Sequence, residues 1–322
     1  MTPSNHPPAA TGSSTRRNLL AAVVGGLALS VGLSAGWGAT AWAQTSPPSA
    51  LPVAEPSAVG LEKAGLDIHA GAIQAFVDAG DLPGAVIIAG RHGHIADVRV
   101  INATVSPGGA PLQRDTIFRA YSMSKPITAV AMMMLYEEGR WKPSDPISKY
   151  VPQFKDLKVW DGVGADGAPI LKAPDHEPTM GELMTMTAGF SYGLFTPEPI
   201  DKLYAQADLW HAKTLDVFID KLSKLPLANQ PGAAWRYSVG PDIQGYIVEK
   251  LSGQSLPQFY EQRIFKPLGM VDTGFILPEA KAGRLATIYV TAGKGKLAQS
   301  PNLLGVNYDG STAPFGGAGL LT

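Results

Sequence analysis

The sequence contains no cysteine, which excludes a disulfide framework, thiol catalysis and any cysteine-ligated metal. It is also poor in charge. Asp, Glu, Lys and Arg make up 16% of its 322 residues and balance to a formal net charge of −1. No field of one sign is available to attract nucleic acid or an anionic membrane surface. The six histidines show no metal-ligand spacing; His92 and His94 flank a turn sequence and read as solvated side chains, so no metal is expected. No glycine-rich phosphate loop stands between a strand and a helix, and no internal repeat is visible. What is present is an apolar fraction of 45%, enough to bury a sizeable core.

Residues 1–43 read as an address rather than as part of the fold. Arg16 and Arg17 precede an uncharged stretch from Leu19 to Ala43 that ends in Ala41-Trp42-Ala43, a small-x-small cleavage pattern. This is an export signal of the twin-arginine type, which implies a periplasmic or secreted protein with no stable membrane insertion after cleavage. An uncleaved anchor is the alternative, since the stretch is long enough to span a bilayer. Residues 44–58 read as a linker, and 59–322 as one globular domain.

Residues 61–80 carry helical apolar spacing and stop at Gly80. The β-branched runs 84–90 and 95–101 flank Arg91-His92-Gly93-His94 and predict a hairpin. Residues 122–140 predict a helix apolar on nearly every side, hence a buried central helix. Residues 141–230 read as helical and loop-rich, and 240–253 and 256–270 as two further helices. One hairpin followed by a long helical region points to an α+β fold.

Ser122-Met123-Ser124-Lys125 places a lysine three residues after a serine, which in a helix sets both on one face. An alcohol is a weak nucleophile and needs a base beside it. A lysine serves as that base where a low dielectric disfavours its ammonium form. The Ser122 N–H, at a helix start, can supply half of an oxyanion hole. Ser124, adjacent to Lys125, faces away from it. Taken alone, Ser-x-x-Lys is a weak signal that occurs by chance in many chains, and an N-capping serine with an exposed lysine fits it better. Gly189-Phe190-Ser191-Tyr192-Gly193 fits a second nucleophile pattern, G-x-S-x-G, but what precedes it reads as a helix end rather than a strand. His211 is the only histidine that follows it, too close to leave room for an acid as well.

Context decides between these readings. Residues 114–154, 178–193 and 231–275 resemble, in order and spacing, segments of class C β-lactamases and family VIII carboxylesterases. The resemblance implies a β-lactamase/transpeptidase-like fold, an antiparallel sheet with flanking helices plus a mainly helical region. Position by position, it implies Ser122 as nucleophile, Lys125 as its basic partner and Tyr237 as the phenol that shares the proton. Which of the two takes the Ser122 proton stays open, because coupled groups titrate as a pair. Tyr237 also fits a packed aromatic beside Trp235.

Three departures qualify the resemblance. Val239 stands where true β-lactamases carry an asparagine two residues after the tyrosine, which favours the esterase branch. Tyr121 is bulkier than the small residue usual before the nucleophile. The C-terminal FGGAGLLT (315–322) resembles a glycine turn that normally precedes the last strands by a long stretch. The chain therefore reads as lacking the final strands and the third motif, whose backbone supplies the second oxyanion donor; one such donor is worth roughly 10²–10³ in rate.

The expected function is hydrolysis of carboxylic esters through a covalent acyl-enzyme, with no cofactor and with a small-molecule ester or peptide-like substrate as partner. A β-lactamase or D-Ala-D-Ala carboxypeptidase on the same residues is one alternative. An inactive, truncated homologue that binds cell-wall peptide is another. The sequence sets no oligomeric state.

Overall fold

A computed structural model describes residues 51–103, 109–194, 196–300 and 305–322. Residues 1–43, read above as an export signal, and residues 44–50 of the stretch read as linker lie outside the described residues. Helix α1 (Lys63–Asp78) gives way at Gly80, whose φ of +76° lies in the left-handed region that glycine tolerates. Strands β1 (Gly84–Arg91) and β2 (His94–Asn102) pair antiparallel with Val86 opposite Val100, as expected. His92 and Gly93 take φ of +51° and +74°, the two left-handed positions of a type I′ hairpin turn. Arg99 of β2 reaches Asp67 of α1 at 2.7 Å. Residues 52–54, within the stretch read as linker, bond to β2 through Ile95.

Helix α2 (Ser124–Glu137) departs from expectation. It buries Ser124, Thr128, Ala131, Met132 and Leu135, which lie on one face. Its other face is open: Val130 is 48% exposed and Met133 42%. An apolar sequence does not by itself supply neighbours on every side, and here α6 covers only one. Ser122 lies just ahead of this helix, in a single 3-10 turn (Tyr121–Met123).

The following region holds a hairpin absent from the sequence reading, β3 (Val159–Val163) with β4 (Pro169–Lys172). Helix α3 (Met180–Met184) starts with a capping box: Thr179 Oγ1 accepts from the Glu182 N–H and the Glu182 carboxylate accepts from the Thr179 N–H. Helices α4 (Pro199–Gln206) and α5 (Leu215–Leu222) come next. Helix α6 (Gly240–Ser252) ends at Gly253 in the left-handed conformation. The expected helix over 256–270 is α7 (Leu256–Tyr260), a one-turn π segment (Glu261–Phe265) and α8 (Lys266–Leu268). Strands β5 (Tyr289–Gly293) and β6 (Lys296–Gln299) form a third hairpin, also absent from the sequence reading.

The architecture is α+β, with three separate two-stranded antiparallel hairpins among the described residues. The core gathers the inner face of α2 with α3, α5, α6 and α7 around Phe154, Phe190, Phe218 and Phe315. The last residues run through it. Phe118 N–H bonds the Thr322 carbonyl at 2.8 Å, Thr322 N–H bonds that of Phe118 at 3.0 Å, and Ala120 N–H bonds Leu320 at 2.8 Å. This pairing holds the backbone directly before Ser122. No helix among the described residues is long and apolar enough to cross a membrane.

Candidate active site

Between the bridge residues Ile117 and Arg119 and helix α2 the chain must turn sharply. Tyr121 makes the turn with φ of +43°, a conformation that costs a bulky L-residue about 1 kcal/mol or more. The turn leaves Ser122 exposed at the head of α2, with Lys125 and Tyr237 half-buried beside it. Ser122 Oγ and Tyr237 OH share a hydrogen bond at 2.6 Å. Lys125 Nζ donates to Ser122 Oγ at 3.2 Å and to the Gly317 carbonyl at 2.8 Å. It also lies 4.7 Å from the centre of the Tyr237 ring, within cation–π reach. The three residues read from the sequence therefore meet, although Tyr237 is 115 positions from Ser122.

Tyr237 is fixed from both sides. Its ring packs against Tyr192 at 5.4 Å, and Tyr192 packs against Trp210 at 5.0 Å. Burial, with Asp242 nearby, raises the Tyr192 phenol well above its ordinary range, so it stays neutral. On the backbone side, Arg236 N–H bonds the Met186 carbonyl at 2.9 Å and Val239 N–H bonds that of Ser191 at 3.1 Å. Trp235, 66% exposed, stands at the rim 6.3 Å from Tyr237.

The competing serines are occupied elsewhere. Ser124 is fully buried and its Oγ accepts from the Leu320 N–H at 3.1 Å. Ser191 is also buried; its hydroxyl donates to Asp201 and accepts from Arg236 Nε at 3.1 Å. Arg236 pairs in turn with Glu198 and Asp201. Burial alone would raise the Asp201 carboxyl, but bonds from Ser191 and Thr196 and the Arg236 charge outweigh it and hold the group below its ordinary value. Ser191 thus belongs to a network that braces the Tyr237 segment. His94 bonds the His92 carbonyl within the hairpin turn at 2.9 Å. Val239 is fully buried at the start of α6.

Sequence reasoning missed Asp242 and its contact with the C-terminal glycine turn. An aspartate in Gly-Pro-Asp reads as an ordinary acidic residue in a first helical turn. Here it is fully buried, and its Oδ1 accepts from the Gly317 N–H at 2.7 Å.

A serine bonded to both a lysine and a tyrosine, in this α+β frame, defines the serine enzymes of the β-lactamase/transpeptidase-like fold. The chain belongs to the Beta-lactamase family, whose model matches residues 69–322. It is 35% identical over 225 residues to Protein Rv1367c of Mycobacterium tuberculosis, covering 70% of this chain and 55% of that protein. It is 32% identical over 232 residues to Esterase EstB of Burkholderia gladioli, with the same two coverages. Among solved structures it resembles EstCE1, described as a hydrolase with promiscuous acyltransferase activity. That match has a TM-score of 0.63 at 25% identity and covers 80% of this chain and 69% of the other. The chain thus spans about half the length of the curated relatives it matches.

Proposed function

We propose that the chain is a serine hydrolase that cleaves carboxylic esters through a covalent acyl-enzyme, with Ser122 as nucleophile and Lys125 and Tyr237 as its proton couple. The observation that carries this reading is the pair of bonds on Ser122 Oγ, 2.6 Å from Tyr237 OH and 3.2 Å from Lys125 Nζ. Both lie near the reach a general base needs. In the first step Ser122 Oγ bonds to the ester carbonyl carbon while its proton passes to the couple. The Ser122 N–H stabilises the oxyanion. The carbon–alkoxy bond then breaks and the alcohol departs with that proton. Water adds to the acyl carbon, giving a proton to the couple; the bond to Oγ breaks, the acid leaves and Ser122 regains its proton.

The ester reading is favoured over a lactam one by Val239. A buried valine offers no amide to a lactam side chain. Similarity to Esterase EstB supports the same choice. We infer periplasmic delivery from Arg16-Arg17 and the Ala41-Trp42-Ala43 cleavage pattern, with the folded domain starting at the 52–54 bridge to β2 rather than at residue 59.

Hydrolysis of p-nitrophenyl butyrate tests the reading. Ser122→Ala is expected to lower kcat by about 10³-fold or more, whereas Ser191→Ala in equal amounts of folded protein retains turnover. Equal loss in both variants overturns the assignment.

A further inference from the structure

The proton couple rests on a turn of glycines, and that turn is held by groups with no part in the reaction described above. Gly316 and Gly317 pass between α2 and α6 with no room for side chains. A Cβ on Gly316 would stand 2.7 Å from the Pro241 carbonyl oxygen, and one on Gly317 would stand 2.6 Å from Asp242 Oδ2. From the α2 side, Thr128 Oγ1 donates to the Gly316 carbonyl at 2.6 Å and accepts from Tyr260 OH at 2.6 Å. From the α6 side, Asp242 Oδ1 accepts from the Gly317 N–H at 2.7 Å. The other face of the same residue, the Gly317 carbonyl, receives Lys125 Nζ at 2.8 Å. One peptide bond on each side of Gly317 therefore links a buried carboxylate to the amine that touches Ser122.

We propose that Asp242 is a positioning residue for the Lys125–Ser122 pair, acting through the Gly316–Gly317 turn. This rests on the ester-hydrolase reading above. The carboxylate orients the turn so that its carbonyl holds the Lys125 amine toward Ser122, and it supplies a negative charge behind that amine. Asp242 Oδ2 has no hydrogen-bond partner. Such a group is costly to keep in a core and serves no packing need that an apolar residue would not meet better. The groups that face it are Lys125 from α2, Tyr260 from α7 and Tyr192 from the loop after α3. Both tyrosines are raised by burial and stay neutral, so Lys125 is the cation it senses. Burial lifts Asp242 itself to about 6, against the pull of the Gly317 N–H and Lys125.

The test uses the full chain with Asp242→Asn, which keeps the shape and an acceptor for Gly317 but removes the charge. kcat and KM for p-nitrophenyl butyrate are measured from pH 5 to 9, with the melting temperature at each pH and Ser122→Ala as control. Positioning predicts a kcat about tenfold lower at pH 8, with KM within twofold and a melting temperature no lower than that of the parent. It also predicts that the fall in parent kcat below about pH 6 is absent from the variant. Asp242→Asn with parent-like kcat, beside an inactive Ser122→Ala, overturns this proposal alone. So does a loss of turnover matched by a loss of folded protein, or an acid limb the substitution leaves unchanged. Parent-like turnover in Ser122→Ala overturns the ester-hydrolase reading and this proposal with it.

Discussion

Helix α6 buries nine of its thirteen residues, whereas α1 buries two of sixteen. The difference lies in what surrounds each helix. Helix α6 is covered by α2, α3, α5 and α7 and by the C-terminal turn, so nearly every side chain meets another. Among the described residues helix α1 packs mainly on the β1–β2 hairpin, and Ile68 and Phe76 on its outer side are 75% and 53% exposed. The candidate chemistry belongs to the first region. Lys125, Tyr237 and Gly317 are each braced by the packed helices, while the hairpins carry none of the three. Rigid surroundings are what a proton couple needs, because small misplacements of reacting groups cost large factors in rate.

The sharpest way to break this comparison is to make one substitution in both regions. Phe259 on α7 is 1% exposed and packs in the helical core. Phe259→Ala should cost about 3–5 kcal/mol, the sum of lost transfer energy and an unfilled cavity. Phe76→Ala, on the open side of α1, should cost under about 1 kcal/mol. Urea unfolding of both variants gives the two numbers, and similar losses would erase the distinction.

A second prediction reverses the sign. Asp242 has its carboxyl raised from 3.8 to about 6 by burial, eased by the Gly317 N–H and Lys125. A raised carboxyl pKa means the unfolded chain releases this proton at lower pH than the folded one. The resulting penalty is absent below about pH 4 and complete above about pH 6, where two pKa units correspond to about 3 kcal/mol at most. Asp242→Asn removes it. The variant should gain stability at pH 8 and show no gain at pH 4, in unfolding curves run at both. A loss at pH 8 would mean that the charge stabilises the core, and that the packed region tolerates ions better than its burial implies.

Much of this arrangement was legible beforehand. The β1–β2 hairpin announced itself through β-branched runs around His92-Gly93, and the helix read at 240–253 is α6, which ends one residue earlier. The spacing of Ser122 and Lys125 raised the pair as a candidate, and the resemblance of the surrounding segments decided it. Tyr237 came only with the resemblance, since no local pattern ties it to a residue 115 positions away. The β3–β4 hairpin was hidden because its strands are short and mostly exposed, and Asp161, Gly162 and Pro169 obscure any alternation. The π segment in 261–265 leaves an apolar pattern much like that of an ordinary helix. Asp242 was invisible for a tertiary reason: its burial depends on a glycine turn 75 positions later.

The one-sided burial of α2 was missed for the same reason, and it yields the smallest effect with the most pointed consequence. Helix α2 shows both kinds of surroundings, with Met132 fully buried against the core and Val130, two positions earlier, 48% exposed. Val130→Thr replaces a methyl by a hydroxyl with almost no change in shape or helix propensity. In a dry site the new hydroxyl would cost about 1–3 kcal/mol. On an open face, where water can reach it, the change should stay within about 0.5 kcal/mol. Urea unfolding of this variant therefore reads the solvent contact of that face directly. A loss above about 1 kcal/mol would mean that α2 is covered in solution on both sides, and the contrast between a packed helical region and open hairpins would have to be redrawn around it.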